Sequence, residues 1–403
     1  MSVQRAPGLR IDFARDGKTL VLTDKNETQE KIPCRLADTD AAEYRKALKR
    51  GLDQMKALVR DSKPSIKDAA RALGELNHRG LSLVWQIFGE HREKVIKVFR
   101  ESFPAWRTEM EPLVITVAAE LNRFVPLEFL PLFELSEWPS PHDLPTLEVA
   151  ARRFPGFSAI LRREFPDMSV NQNLILENDP RLPLKCFFNR TLSGAGQEIQ
   201  FFQDNKGCID MDGPWPEREL SRSDFPRSLA LHLRYAERRF NGQYRTPVDQ
   251  IQHFVCHCEI DEEVTSDSRL RLSLGNEATI ADLQSFFATF EEKSASEGGP
   301  LIFLNACESS RIDPMGVTSF PRFFLQENRN RGFIGTETNI PDAFAADFSQ
   351  CFYRALLKGL SVGKAIYQAK WTMLREKNNP LGILYVIYAD PDLRVSKAVR
   401  TVS

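Results

Sequence analysis

The chain has 403 residues, with 54 lysines and arginines against 55 aspartates and glutamates, so its net charge of −1 supplies no general attraction for nucleic acid or acidic membranes. At 42% hydrophobic and 27% charged residues the composition is that of a globular protein and excludes long disordered, collagen-like or fibrous character. Apolar runs such as Leu113 to Ala119 fall far short of the roughly 18 residues of a membrane-spanning helix, and the N-terminus lacks a secretory apolar stretch; the expectation is a soluble, cytoplasmic protein with no membrane association.

Two strand-type runs, Leu9 to Phe13 and Thr19 to Thr23, flank an Asp16-Gly17 turn and predict a hairpin. Apolar residues then recur at helical spacing, predicting one amphipathic helix from about Asp38 to Val59 and two more over Ser65 to Leu76 and Leu81 to Phe103. Residues 40–101 carry 14 lysines and arginines against 9 acidic residues, a surplus read first as a solvated helix face and second as a docking surface for a partner. Leu113 to Ala119 reads as a buried strand, Phe124 to Phe133 as a proline-bounded turn or short helix, and Glu137 to Pro145 as a loop. Leu182 to Asn189 and Glu198 to Gln203 read as strands and Pro214 to Arg227 as a surface loop.

From Ile251 strands and helices alternate: strands at Ile251 to Cys258, Leu301 to Ala306, Gly332 to Thr336 and Ile383 to Tyr388, and helices at Thr279 to about Lys293, Gly316 to Asn328, Asp342 to Leu357 and Val362 to Lys377. Nearly continuous apolar strands between helices predict an α/β fold with a mostly parallel sheet flanked by helices. The expected divisions are a hairpin plus helical region over 1–109 and two sheet halves over 110–240 and 241–403.

Two of these strands end in reactive side chains. His257 stands at the tip of the run Ile-Gln-His-Phe-Val-Cys-His-Cys, one residue before its end, and Cys307 follows Leu-Ile-Phe-Leu-Asn-Ala fifty positions later. Ligands of open α/β sheets bind outside the carboxyl ends of the strands, and a histidine about 50 residues before a cysteine is a caspase-type spacing. A thiolate there would attack a peptide carbonyl while an imidazole raises its ionised fraction and protonates the leaving amine. The backbone N–H groups of Cys307 and Cys258 would supply an oxyanion hole.

These residues, with Gly332-Phe-Ile-Gly335, Phe348, Phe352-Tyr353, Gly359, Ala365 and Tyr388-Ala-Asp-Pro-Asp, resemble the CHAT family of caspase-like cysteine peptidases, of the same clan as caspases and separases. Phe124-Val-Pro-Leu-Glu-Phe-Leu is similar to the segment that opens many such domains, which extends the resemblance over about 110 to 398. The family's dyad falls on His257 and Cys307; Cys258 stands where the family usually has glycine, and Ser309-Ser310 replaces the usual Thr-Gly. The resemblance implies a cysteine endopeptidase that cuts a dedicated protein substrate, in a bacterial defence or cell-death circuit, once a regulatory protein engages the N-terminal region. The competing reading is a decayed site that serves as a binding or scaffold module.

Glu308, Asp261 and Glu337 are candidates for the border of the substrate cleft, and Asp342 for the same place or a helix cap. His253 reads as a core or hydrogen-bonded histidine. Cys256, His257 and Cys258 alternate in direction along a strand and have no second ligand cluster, so neither metal nor other cofactor is expected. The seven cysteines are scattered and read as thiols, without a disulfide framework.

Overall fold

Leu9, Ile11, Leu20 and Leu22 alternate with more exposed neighbours, the period that buries one face of a hairpin, and all four are buried. The computed structural model that shows this describes the chain except residues 1–7, 15–17, 25, 36–37, 102–111, 119–124, 135–136, 166–173, 179, 235, 241–242, 246–248, 262, 291–298, 307–318 and 397–403. Its contacts separate into two units, residues 1–166 with 366–384, and residues 167–365 with 385–403.

In the first unit β1 (Gly8–Phe13), β2 (Thr19–Thr23) and β3 (Gln29–Pro33) form an antiparallel meander. Helices α1 (Asp38–Leu58), α2 (Ile66–Phe88) and α3 (Arg92–Glu101) follow, and β4 (Leu113–Ala118) returns parallel beside β1, with Leu9 opposite Ile115. After α4 (Leu144–Ala151) and the single turn α5 (Pro155–Ser158), β5 (Ala159–Glu164) pairs parallel with β4. The expected break between residues 76 and 81 is absent. Asn77 and Gly80 are buried within the continuous α2, and a Cβ on Gly80 would meet the Phe129 carbonyl oxygen at 2.7 Å, so the glycine that reads as a break is a point of close approach. Ser65 caps this helix by accepting the Asp68 N–H.

A buried ion pair crosses the same unit. Arg163 Nε of β5 donates to Glu128 Oε1 at 2.8 Å, with both side chains at most 3% exposed. Lys370 Nζ donates to the Gly156 carbonyl at 3.1 Å, and burial pushes that amine down to about 8.

The second unit opens with β6 (Ile175–Leu176), β7 (Leu182–Phe188), α6 (Ala195–Asp204), β8 (Ile209–Trp215), α7 (Asp224–Arg234) and the hairpin β9 (Ala236–Phe240) and β10 (Gln243–Arg245). It continues with β11 (Ile251–Glu259), β12 (Arg269–Arg271), β13 (Glu277–Thr279), α8 (Ile280–Phe287), β14 (Gly299–Ala306) and α9 (Phe320–Arg322), which runs on as a π-helical turn to Glu327. It closes with β15 (Asn330–Thr336), α10 (Asp342–Leu357), α11 (Val362–Lys377), β16 (Tyr385–Ala389) and β17 (Arg394–Val395); residues 366–377 of α11 count with the first unit.

The strand order β8-β7-β11-β14-β15-β16 is parallel at every step but the last. β12 and β13 add an antiparallel ladder at the tip of β11. The mostly parallel, helix-flanked α/β sheet is thus as expected, and β14, buried at all eight positions, shows why its sequence reads as an unbroken apolar run.

Two expectations are corrected here. Residues 198–203 are not a strand: Glu198, Phe201 and Phe202 recur at the i, i+3, i+4 spacing of a helix face and are the buried side of α6. The stretch 214–227 is not one loop, because its start completes β8 and its end, from Asp224, is the first turn of α7, where Phe225 is buried. Among the described residues no helix is long and apolar enough to cross a membrane.

Candidate active site

β11 is buried from Ile251 to Cys256, and then His257 is exposed, Cys258 buried and Glu259 exposed. Successive strand residues face opposite sides of a sheet, so His253, Val255 and His257 share one face and Gln252, Phe254, Cys256 and Cys258 the other. The parallel register with β14 sets His253 beside Phe303, Val255 beside Asn305 and Cys256 beside Ala306. β14 ends at Ala306, and the two site residues that follow it in sequence, Cys307 and Glu308, lie outside the described residues.

On the other side of the tip, His257 pairs with Arg271 and Cys258 with Leu270 of β12. Arg271 reaches Glu259 at 2.7 Å and Glu277 at 3.1 Å. Cys258 is only 5% exposed, so its thiol packs into the core on the face opposite His257 instead of crowding that imidazole. None of the six described cysteines is in a disulfide.

The remaining cleft candidates have local duties. Asp261 Oδ1 accepts the N–H groups of Val264 at 2.8 Å and Glu263 at 2.9 Å, which pulls its carboxyl below the usual carboxylate range and fixes the turn after β11. Asp342 Oδ2 accepts the Ser193 N–H at 3.1 Å. Glu337 is half-buried immediately after β15.

Beneath the exposed histidine lies a buried polar cluster. Glu198 of α6 accepts from three elements: Oε2 from His253 Nε2 at 2.8 Å and Ser349 Oγ of α10 at 2.5 Å, and Oε1 from Asn305 Nδ2 at 3.0 Å. Asn305 Nδ2 also donates to the Ala345 carbonyl at 3.1 Å, and its Oδ1 accepts from the Tyr385 hydroxyl at 2.6 Å. Tyr353 of α10 meets His253 Nδ1 at 3.1 Å, and burial raises this phenol well above its ordinary range, so it keeps its proton to donate. One step further along β14, the Ala306 carbonyl accepts from the buried hydroxyl of Thr336, the last residue of β15. His253 is therefore a hydrogen-bonded core histidine, as the sequence suggests, and is fully buried.

The opposite face is packed differently. Phe187 stacks on Phe254 with ring centroids 4.3 Å apart, and Phe254 meets Phe324 at 6.0 Å. His232 of α7 lies 4.6 Å from the Trp215 ring, and burial pushes its imidazole down to about 3, so it is neutral near pH 7.

His257 thus stands exposed at the carboxyl end of an inner strand of a mostly parallel α/β sheet. Residues 233–392, less than half of the chain, match the CHAT domain; the match does not include residues 110–232, to which the sequence resemblance also extends. A stretch of 98 residues is 31% identical to a "probable protease" of Vitiosangium sp., an alignment that spans 24% of this chain and only 13% of that protein. The separase–securin complex of Saccharomyces cerevisiae aligns with a TM-score of 0.47 at 12% identity over 96% of this chain and 30% of that one. The Arg-specific cysteine proteinase gingipain R aligns with a TM-score of 0.39 at 10% identity over 77% of this chain and 69% of that one.

Sequence reasoning did not find Glu198, Asn305 or Thr336. A signal was there: His253 and Asn305 are polar residues at inward positions of otherwise apolar strands, and a buried polar group needs a partner. Its partner was obscured because Glu198 reads as part of a strand.

Proposed function

We propose that the chain is a cysteine endopeptidase in which His257 and Cys307 form the dyad. The observation that carries this reading is the β11–β14 register, which ends with Cys256 beside Ala306, so that His257 and Cys307 are the residues next in sequence after the last pair of the two strands. The CHAT match over 233–392 supports the same chemistry.

In this reading the Cys307 thiolate adds to a peptide carbonyl, the C–N bond breaks as His257 protonates the departing amine, and water then hydrolyses the thioester, returning the proton to the dyad. The N–H groups of Cys307 and Cys258 serve the oxyanion, with Glu308, Asp261 and Glu337 bordering the substrate. The substrate is a dedicated protein, in a bacterial defence or cell-death circuit, and cleavage begins when a protein partner engages the basic helices of residues 40–101.

A free cysteine, with a pKa of about 8.5, is only a few per cent thiolate at pH 7. Paired with His257, Cys307 should react with iodoacetamide at pH 7 roughly tenfold faster than a free cysteine. Labelling should vanish in Cys307→Ala and slow to the free-cysteine rate in His257→Ala. Equal labelling of wild type and Cys307→Ala would leave a scaffold role as the better account.

A further inference from the structure

We propose that Asn305 and Thr336, anchored by Glu198, are positioning residues that set the end of β14 from which Cys307 follows; this rests on the peptidase reading above.

The argument starts from where the polar groups lie. The face of the sheet that carries Phe254 is packed with aromatic rings, beside which Gln252 and His232 are also buried. The other face holds a carboxylate, an imidazole, an amide and three hydroxyls, gathered at one level of the strands. Replacing such a group by apolar side chains of similar volume is often neutral or stabilising, so stability alone does not account for it. Directional bonds fix relative positions in a way that apolar packing does not.

The bonds converge on two adjacent residues. Asn305 is held on three sides, by Glu198, the Ala345 carbonyl and the Tyr385 hydroxyl, which ties β14 to α6, α10 and β16. Ala306 is held through its carbonyl by Thr336, which ties the same strand end to β15. On β11, His253 shares the Glu198 carboxylate with Asn305, so the strands that bear the two members of the dyad are referenced to one group. A misplacement of about 1 Å at a reacting atom can cost on the order of 100-fold in rate, and these bonds lie one and two residues from the nucleophile.

The readout is the pH dependence of iodoacetamide labelling of Cys307 in the full chain, with folding followed by circular dichroism. Thr336→Val keeps the shape but removes the hydroxyl; it should move the labelling inflection toward the free-cysteine value and slow labelling at pH 7 roughly fivefold to tenfold. Thr336→Ser, which loses a methyl but keeps the hydroxyl, should retain the wild-type profile. Tyr385→Phe should behave like Thr336→Val and serves in its place if that variant does not fold. A wild-type profile in Thr336→Val, or equal shifts in Thr336→Val and Thr336→Ser, overturns the positioning role while leaving the dyad intact. A wild-type Cys307 that reacts no faster than a free cysteine rejects the dyad, and the positioning role with it.

Discussion

Replacing Glu128 by glutamine tests the electrostatics of the first unit. The substitution preserves shape and removes one charge, leaving the 1%-exposed Arg163 side chain and the buried Lys370 ammonium without their nearby anion. Removing one partner of a buried pair costs about 3–5 kcal/mol. In a unit of this size each kcal/mol moves the melting temperature by roughly 2–4 °C, so the expected loss is about 6–20 °C. The pH dependence carries a sign. Burial lowers the folded Lys370 value from 10.5 to about 8, so the unfolded chain binds the extra proton between those values and wild-type stability rises with pH across that window. Glu128 works against this lowering; without it the folded value falls further, the gain begins below pH 8, and the deficit of the variant should shrink between pH 6 and pH 8. Glu128→Leu combined with Arg163→Met should recover most of the loss. Thermal and urea denaturation at pH 6 and 8 measures all three. A Glu128→Gln variant within about 1 kcal/mol of wild type at pH 6, or a double variant no better than the single, would refute the reasoning.

Two further outcomes follow from the second unit. His232 is neutral in the folded state down to about pH 3, so its contribution is fully present above about pH 6.5 and is lost as the pH falls toward 3, by about 1.4 kcal/mol per pH step; His232→Leu should lack this slope in urea titrations at pH 7, 5 and 4. A Cβ on Gly194 would lie 2.4 Å from the Asp342 carbonyl oxygen, whereas one on Gly196 meets nothing within 4 Å. Gly194→Ala should therefore cost about 1–3 kcal/mol, and Gly196→Ala should be neutral or gain up to about 1 kcal/mol, as read by thermal melts.

How much was legible depended on what each segment packs against. β11, β14 and β15 are buried on both faces, so their apolar runs identify them unaided. α6 is short and amphipathic with adjacent phenylalanines, and the same letters satisfy a strand period until the packing of Glu198 decides for the helix. α2 contains Asn77 and Gly80 between the two expected helices; the close backbone of Phe129 explains why a glycine sits inside this helix. The exposed His257 was visible because it interrupts an apolar strand at its carboxyl end. The hydrogen bonds that join Glu198 to two strands and α10 were not, since they link residues up to 151 positions apart, and single-chain periodicity carries no information at that range.

The pairing of β1 with β4 bears on how this protein can be dissected. A truncation that stops at residue 109 would strip away the strand lying along residues 114–117 and leave those amides and carbonyls as a bare edge. The shortened chain would tend to stick to itself, and any silence in an assay would report a damaged sheet instead of a released inhibitor. Surface changes on the helices, such as charge reversal at Lys46 or Arg50, both exposed, spare that seam and ask the regulatory question cleanly.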